Sequence, residues 1–87
     1  MSWLILMNNI DEIIKELNTI FIKIFNDEDL NISFRTSEAD IQGWDSFSNI
    51  ELILDIEIFF NIHFDLSELK NIDNVGKLAT YILDKQG

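Results

Sequence analysis

An all-α fold, a small bundle of three main helices and one short helix, is predicted from three features of the sequence. Apolar residues recur at helical spacing in separate segments, and residues typical of helix starts precede those segments. Proline is absent and only three glycines occur, so few positions would interrupt a helix. The 87-residue chain is 47% hydrophobic, which suits one small packed core and excludes an intrinsically disordered chain.

The first helix is predicted over about residues 9–25. Asn9 precedes this segment as an N-cap, and Glu12 follows at the spacing of a capping box. The apolar residues recur as on one buried helix face: Ile10, Ile13, Ile14, Leu17, Ile20, Phe21, Ile24 and Phe25.

A long polar connection over residues 26–43 follows the first helix, and its predicted anchors to the core are Leu30, Ile32, Phe34 and Ile41. Oxygen-bearing side chains here match the ligand positions of an EF-hand calcium loop: Asp27, Asp29, Asn31, Ser33 and Glu38. The position that needs glycine for a sharp turn holds Ile32, however, and a β-branched residue is ill suited to that turn. No metal site is therefore expected, and a calcium-binding module stays open only as an alternative.

The second helix is predicted over about residues 46–60. Asp45, Ser46 and Ser48 are residue types that cap helix starts, and Ser48 with Glu51 has the spacing of a capping box. One apolar arc of this helix is assigned to the core: Leu52, Ile53, Ile56, Phe59 and Phe60. A second arc, beside Glu51, either packs against the long connection or is available to partners, and it consists of Phe47, Leu54 and Ile58.

Two more helices are predicted after residue 60. A short third helix is expected within residues 64–69, with Asp65 as its cap, and a fourth over about residues 74–85, with Asp73 as its cap. Tyr81 is expected at the edge of the core. Gly76 lies in the first turn of the fourth helix, where glycine costs about 1 kcal/mol relative to alanine, so close packing is expected there.

The formal net charge of −10 is unevenly distributed. Residues 36–69 contain no Lys or Arg, and their acidic residues are Glu38, Asp40, Asp45, Glu51, Asp55, Glu57, Asp65 and Glu68. Such a field repels nucleic acid and anionic membranes and attracts electropositive proteins. We therefore expect no nucleic-acid and no membrane partner, but protein partners with basic docking patches.

The residue inventory argues against an autonomous enzyme. The chain has no cysteine, so no protein thiolate is available as a nucleophile, and its single histidine, His63, can form neither a metal cluster nor a two-histidine relay. His63 is interpreted as structural, and no catalytic residue is identified.

The apolar residues 1–7 are far fewer than the roughly 18 residues that a transmembrane helix needs. They also lack the basic start and small-residue cleavage site of a signal peptide. Neither an anchor nor a signal is expected, and the predicted location is cytoplasmic.

Ser46 lies at the predicted mouth of the second helix, where the first-turn amides and the helix dipole favour a phosphate. The sequence around it resembles the acyl carrier protein family, whose Asp-Ser-Leu signature opens the second helix; here it reads Asp45-Ser46-Phe47. The resemblance extends from about Asn9 to Leu83 and includes four further stretches: Asn9-Ile10-Asp11, Ile50-Glu51-Leu52, Phe60-Asn61-Ile62 and Ile72-Asp73-Asn74-Val75-Gly76.

The resemblance implies that Ser46 carries a 4'-phosphopantetheine arm, which a phosphopantetheinyl transferase moves from coenzyme A with magnesium, and that the arm's thiol holds an acyl group as a thioester. It also implies that Asp45 contributes to transferase or metal contacts. The candidates for docking acyl-loading and acyl-transferring enzymes are Phe47, Glu51, Leu54 and Ile58. The expected organisation is a monomer with one carrier domain over residues 9–85, preceded by a short apolar extension over residues 1–8.

Alternatives stay open at this point. Peptidyl and D-alanyl carrier proteins share the serine and the arm, and a structural acidic interaction module would use Ser46 only as a helix cap. The pathway, whether fatty-acid, polyketide, or specialised lipid or surface-glycan biosynthesis, is not identified by the sequence.

Overall fold

The computed structural model describes residues 9–86, apart from the side chain of Leu66. The expectation for an N-terminal extension over residues 1–8 lies outside these residues. The elements are α1 (Ile10–Phe25), a short 3₁₀ helix (Glu38–Asp40), α2 (Ser46–Phe60), α3 (Leu66–Leu69) and α4 (Val75–Gln86). The predicted all-α bundle of three main helices and one short helix, with a long connection between α1 and α2, is confirmed.

Local capping residues determine where α1 begins and where α1 and α2 end. The Asn9 side-chain oxygen accepts a hydrogen bond of 2.8 Å from the Glu12 amide at the start of α1. Asn26 and Asn61 follow the two helices in the left-handed conformation, with φ of 52° and 56°, and their amides donate back into the last turn. Asparagine tolerates this conformation better than most residues, so it ends a helix at low cost.

The core forms where α1 packs against both α2 and α4. Its largest fully buried side chains are Phe21, Ile13, Leu17, Leu52, Ile56, Leu78, Ile82 and Val75. The Trp44 ring meets the Phe21 ring edge to face, with centroids 5.1 Å apart. Trp44 lies two residues before the first residue of α2, so this contact holds the start of α2 against α1.

The assignment of Phe59 to the core is wrong, because its side chain is 44% exposed. Phe59 lies at the edge of the predicted apolar arc and in the last turn of α2, where the ring contacts Phe60 at a centroid distance of 4.9 Å. At the edge of an arc, the positions of neighbouring elements decide burial, and helical spacing alone does not specify them.

The side-chain amide of Asn18 on α1 holds the long connection by two hydrogen bonds. The Asn18 side chain accepts from the Ile32 amide at 2.8 Å and donates to the Leu30 carbonyl at 3.3 Å. Ile32 and Ile41 are buried and Leu30 is half-buried, as predicted for core anchors. Phe34 is 51% exposed, so its assignment as a core anchor is wrong.

The connection is also tied to the start of α4 by backbone pairing. Ser37 and Asn74 form an isolated antiparallel bridge. The Glu38 amide donates to the Asp73 carbonyl at 3.0 Å, and the Val75 amide donates to the Thr36 carbonyl at 2.8 Å. This bridge brings Phe34 over the first turn of α4.

Gly76 is the point at which Phe34 meets α4. A Cβ atom at Gly76 would lie 2.8 Å from both the ring Cε1 and the backbone oxygen of Phe34. The predicted close packing at Gly76 is therefore confirmed, and its partner is the long connection.

Asn74, rather than Asp73, caps α4. Because α4 begins at Val75, the Asn74 side chain is placed to accept from the Lys77 amide, at 2.8 Å. The Asp73 carboxylate instead pairs with the Lys77 ammonium group at 3.1 Å. Asp65 does precede α3, but its side chain forms no capping hydrogen bond.

The α2–α3 connection contacts α4 through Tyr81, whose ring stacks on Phe64 with centroids 4.3 Å apart. Tyr81 is half-buried, at the edge of the core as predicted. Within residues 9–86, no helix has the length and apolar character needed to cross a membrane.

Candidate functional site

The chain makes a tight turn before α2, and a capping box then holds the helix start. Gly43 has φ of 91°, a conformation that glycine adopts without strain. Asp45 is the N-cap: its Oδ1 accepts from the amides of Phe47 and Ser48, both at 3.0 Å, while Ser48 Oγ accepts from the Asp45 amide at 2.9 Å. The capping box is therefore Asp45 with Ser48, and the predicted box of Ser48 with Glu51 is wrong, because the helix begins at Ser46.

The two serines of this turn have different environments. Ser48 is buried, and its Oγ also donates to the Gly43 carbonyl at 2.8 Å. Ser46 is exposed, and its Oγ has no hydrogen-bond partner among residues 9–86. The helix start thus holds the backbone of Ser46 rigidly and leaves its hydroxyl free to react.

Two backbone amides in the first turn of α2 already donate hydrogen bonds within the protein. The Asp45 carboxylate occupies those of Phe47 and Ser48, so they are not free to bind a phosphate as the sequence suggested. The hydrogen bond from the Ser48 amide, supported by that from Phe47 and by the Ser48 hydroxyl, lowers the pKa of Asp45. An anion attached to Ser46 would therefore lie outside these amides, close to an ionised carboxylate.

Asp45 should make folding depend on pH. Since its folded-state pKa is lowered, its charge stabilises the fold above the unfolded pKa, and this contribution is lost as the pH falls below about 4. Asparagine caps helices about as well but does not titrate there. We expect Asp45→Asn to melt below the parent protein near neutral pH, and the difference between the two melting temperatures to shrink as the pH falls below about 4. A constant difference in melting temperature across this range would contradict the effect.

All four predicted docking residues lie on the outside of α2. Phe47 is 72% exposed, Leu54 55% and Ile58 80%, and Glu51 is also exposed. This arc therefore does not pack against the long connection. Ile50, 53% exposed, belongs to the same surface and was missed, although its spacing from Phe47 and Leu54 could have identified it.

The acidic residues of α2 are not equally available to partners. Asp55 pairs with Lys23 of α1 at 3.0 Å. The Glu57 carboxylate accepts from the Phe64 amide at 2.8 Å and lies 3.4 Å from the ring of His63. Glu51 has no polar partner among residues 9–86, so it is the α2 carboxylate best placed to meet another protein.

Two cavities adjoin the outer side of α2. A serine groove of about 340 Å³ is lined by Ser46, Asn49, Ile50, Leu69, Lys70 and Ile72, with Glu38 at its side. An α2–α3 groove of about 540 Å³ has mainly apolar walls, from Ile50, Ile53, Leu54, Phe64 and Leu69. A larger cavity of about 640 Å³, between Phe34 and α4, does not include Ser46.

The geometry of residues 26–38 does not support a calcium loop. Ile32 is buried and is not among the described residues with positive φ, and Asp27 accepts from the Asp29 amide at 3.0 Å. No group of three or more His, Cys, Asp or Glu side chains in residues 9–86 is arranged to hold a metal ion.

Comparison with known proteins gives the same fold and similar sequences. The chain is 38% identical to the holo acyl carrier protein from Geobacter metallireducens, whose solution NMR structure superposes with a TM-score of 0.76 over 83% of each chain. The chain belongs to the acyl carrier protein family. It is also 26% identical over 77 residues to the acyl carrier protein of Thermotoga maritima, a match that covers 88% of this chain and 95% of that protein. No family model matches.

Membership of the acyl carrier protein family agrees with the residue inventory. Acyl carrier proteins are carriers rather than enzymes. The sequence has no cysteine to act as a nucleophile, and Ser46 has no general base hydrogen-bonded to its hydroxyl within the described part of the chain.

Proposed function

We propose that this acyl carrier protein bears a 4'-phosphopantetheine arm on Ser46 and presents acyl groups held on that arm to partner enzymes. The observation that carries the proposal is the free, exposed Ser46 hydroxyl on a rigid helix start directly after Asp45. When attached, the arm supplies the thiol that this cysteine-free chain lacks, and the thiol holds the acyl group as a thioester.

The attachment reaction is a phosphoryl transfer from coenzyme A. Ser46 Oγ attacks the phosphorus that carries pantetheine, the bond from this phosphorus to the adenosine bisphosphate leaving group breaks, and the hydroxyl proton passes to a base of the transferase. Asp45 Oδ1 holds the helix start, whereas Oδ2 accepts no hydrogen bond from residues 9–86. Asp45 Oδ2 is therefore the atom that we assign to the transferase or its magnesium ion.

The α2–α3 groove favours an aliphatic acyl cargo over an aminoacyl cargo. Its walls are mainly apolar, and it adjoins the serine groove, since Ile50 and Leu69 line both. An acyl chain on the thiol of an arm attached to Ser46 thus has an apolar groove beside the attachment point. An acyl chain buried there would shield its thioester from water. Fatty-acid, polyketide and specialised lipid or surface-glycan biosynthesis all supply such cargo, whereas the charged amino group of a peptidyl or D-alanyl cargo would be costly to bury there.

Partner enzymes are proposed to dock on the exposed arc of α2. Phe47, Leu54 and Ile58 offer apolar contact, and Glu51 offers a free negative charge to a basic docking patch. These partners are the phosphopantetheinyl transferase and the acyl-loading and acyl-transferring enzymes. We infer that residues 9–85 function as one monomeric carrier domain in the cytoplasm.

Intact mass spectrometry tests the proposal. Incubated with coenzyme A, magnesium and a broad-specificity phosphopantetheinyl transferase, the protein is expected to gain the mass of one phosphopantetheinyl group. Peptide mapping should place that group on Ser46. No gain with several transferases, or a group mapped to Ser37 or Ser48, would refute the function.

The charge of Glu51 should affect how fast the transferase finds the carrier. Glu51→Lys removes one attraction and adds one repulsion on an exposed flank, so we expect association to slow on the order of 3- to 10-fold at low ionic strength. The difference should shrink in 0.1 M salt, where the Debye length is about 10 Å. Stopped-flow binding would measure both rates, and circular dichroism should report an unchanged fold and melting temperature.

Glu12→Lys is the matched control, because it makes the same change in net charge at the far end of α1 from the Phe21–Trp44 contact. It should leave the association rate near that of the parent. Equal rates for the parent and Glu51→Lys at low salt would show that Glu51 does not face the transferase.

A further inference from the structure

We propose that Asn49 is a positioning residue for Ser46, which sets the width of the serine groove and thereby the rate at which the Ser46 hydroxyl is modified. This inference rests on the proposed function. Asn49 lies one turn after Ser46 on α2, and both residues line the same groove.

The Asn49 side chain joins three segments of the chain. It is only 7% exposed, and its Oδ1 accepts from Trp44 Nε1 at 3.2 Å. Its Nδ2 donates to the Ile72 carbonyl at 3.5 Å, across the groove. Asn49 thus links the turn before α2, α2 itself and the α3–α4 connection.

These links hold both walls of the serine groove. Trp44 is fixed by its ring contact with Phe21 of α1, so the Trp44–Asn49 bond anchors the helix wall to the core. Ile72 belongs to the opposite wall, and the Asn49–Ile72 bond sets its distance from the first turns of α2. Without the amide donor, the Ile72 carbonyl would lose its cross-groove partner, and the two walls could separate.

The groove walls lie beside Ser46, so under the proposed function their spacing affects how the Ser46 hydroxyl is presented to the transferase. A reacting hydroxyl displaced by about 1 Å can lose on the order of 100-fold in rate, so a modest change in wall spacing should affect catalysis more than binding. The expected signature of a positioning role is therefore a lower kcat with a nearly constant KM for the carrier.

The chain contains a matched control for this residue. Asn18 on α1 also accepts one N–H and donates to one carbonyl, although its N–H donor is the Ile32 backbone amide rather than an indole; the carbonyl is that of Leu30. Neither Asn18 nor these two partners lines the serine groove. Asn18→Asp and Asn49→Asp both retain the acceptor oxygen and replace the amide donor by an oxygen that faces a carbonyl.

The experiment compares the parent, Asn49→Asp and Asn18→Asp in steady-state modification by a purified phosphopantetheinyl transferase with coenzyme A and magnesium. The temperature is kept below the melting transition of each variant. We expect Asn49→Asp to lower kcat about 10-fold with KM within about two-fold of the parent. Asn18→Asp should melt earlier than the parent but retain its kcat.

Trp44→Phe provides a second route if Asn49→Asp does not fold. It keeps an aromatic ring against Phe21 but removes the indole donor to Asn49, so kcat should fall in the same direction. An unchanged kcat in the folded Asn49 or Trp44 variant, or an equal fall in Asn18→Asp, would overturn the positioning role. If the parent protein itself is not modified, both the proposed function and this inference are overturned. If only the expected kcat differences are absent, the positioning role is overturned and the proposed function stands.

Discussion

Ser46→Ala is expected to abolish attachment of the phosphopantetheine arm completely. The variant lacks the only hydroxyl at the helix start that is both exposed and without a hydrogen-bond partner among residues 9–86. The fold should not change, because Ser46 makes no side-chain hydrogen bond there and alanine is a good helix former. Intact mass after exhaustive treatment with transferase and coenzyme A gives the result directly.

Ser48→Ala is the matched control two residues later. Its hydroxyl is buried and bonded to the Asp45 amide and the Gly43 carbonyl, so removing it should cost about 1–2 kcal/mol of folding stability. The arm should still be attached, on Ser46. Loss of modification in folded Ser48→Ala, or retention in Ser46→Ala, would contradict the assignment of the attachment site.

Gly76→Ala is expected to destabilise the protein by about 1–3 kcal/mol, a large part of the roughly 3–5 kcal/mol available to a domain of this size. An added Cβ would lie 2.8 Å from the Phe34 carbonyl oxygen. The exposed Phe34 ring can swing aside, but its backbone is held by the nearby pairing of Thr36 with Val75. This overlap outweighs the gain of about 1 kcal/mol that alanine brings to a helix.

Thr80→Ala, at an exposed position of the same helix, separates the two effects. Thr80 lines the cavity beside Phe34, but Thr80→Ala adds no atom there and gains helix propensity, so its melting temperature should equal or exceed that of the parent. Thermal unfolding followed by circular dichroism would measure both variants. A Gly76→Ala protein as stable as Thr80→Ala would show that the connection moves away at little cost.

Several features of this protein were determined by the sequence alone, because they depend on residues within one or two helical turns. Asn9 caps α1 as predicted, and Asp45, one of three predicted candidates, caps α2; both act through residues at most three positions away. The apolar face of α1 follows from helical spacing. Close packing at Gly76 could be predicted because glycine is unfavourable in a helix unless a neighbour needs the space. Ser46 was identified for the same reason: its signature and its helix start are contiguous.

Only the tertiary structure decided which side chains are buried and which polar groups are already paired. Phe59 and Phe34 are large apolar residues of the kind that form cores, yet no neighbouring element covers them fully. Asp55 and Glu51 lie on the same helix, but Lys23 of another helix pairs with the first and leaves the second free. Such outcomes depend on distances between segments far apart in the chain, which local spacing does not specify.

The same distinction applies to the site. A helix-start signature could name Ser46, but the buried link from Trp44 through Asn49 to Ile72 spans 28 positions of the sequence and exists only once the core has formed. Trp44, Asn49 and Ile72 form no sequence motif that would predict this link. The proposed attachment point could therefore be predicted from a local pattern. The groove beside it could not, because it depends on packing between distant segments, where a buried amide left without a hydrogen-bond partner is costly.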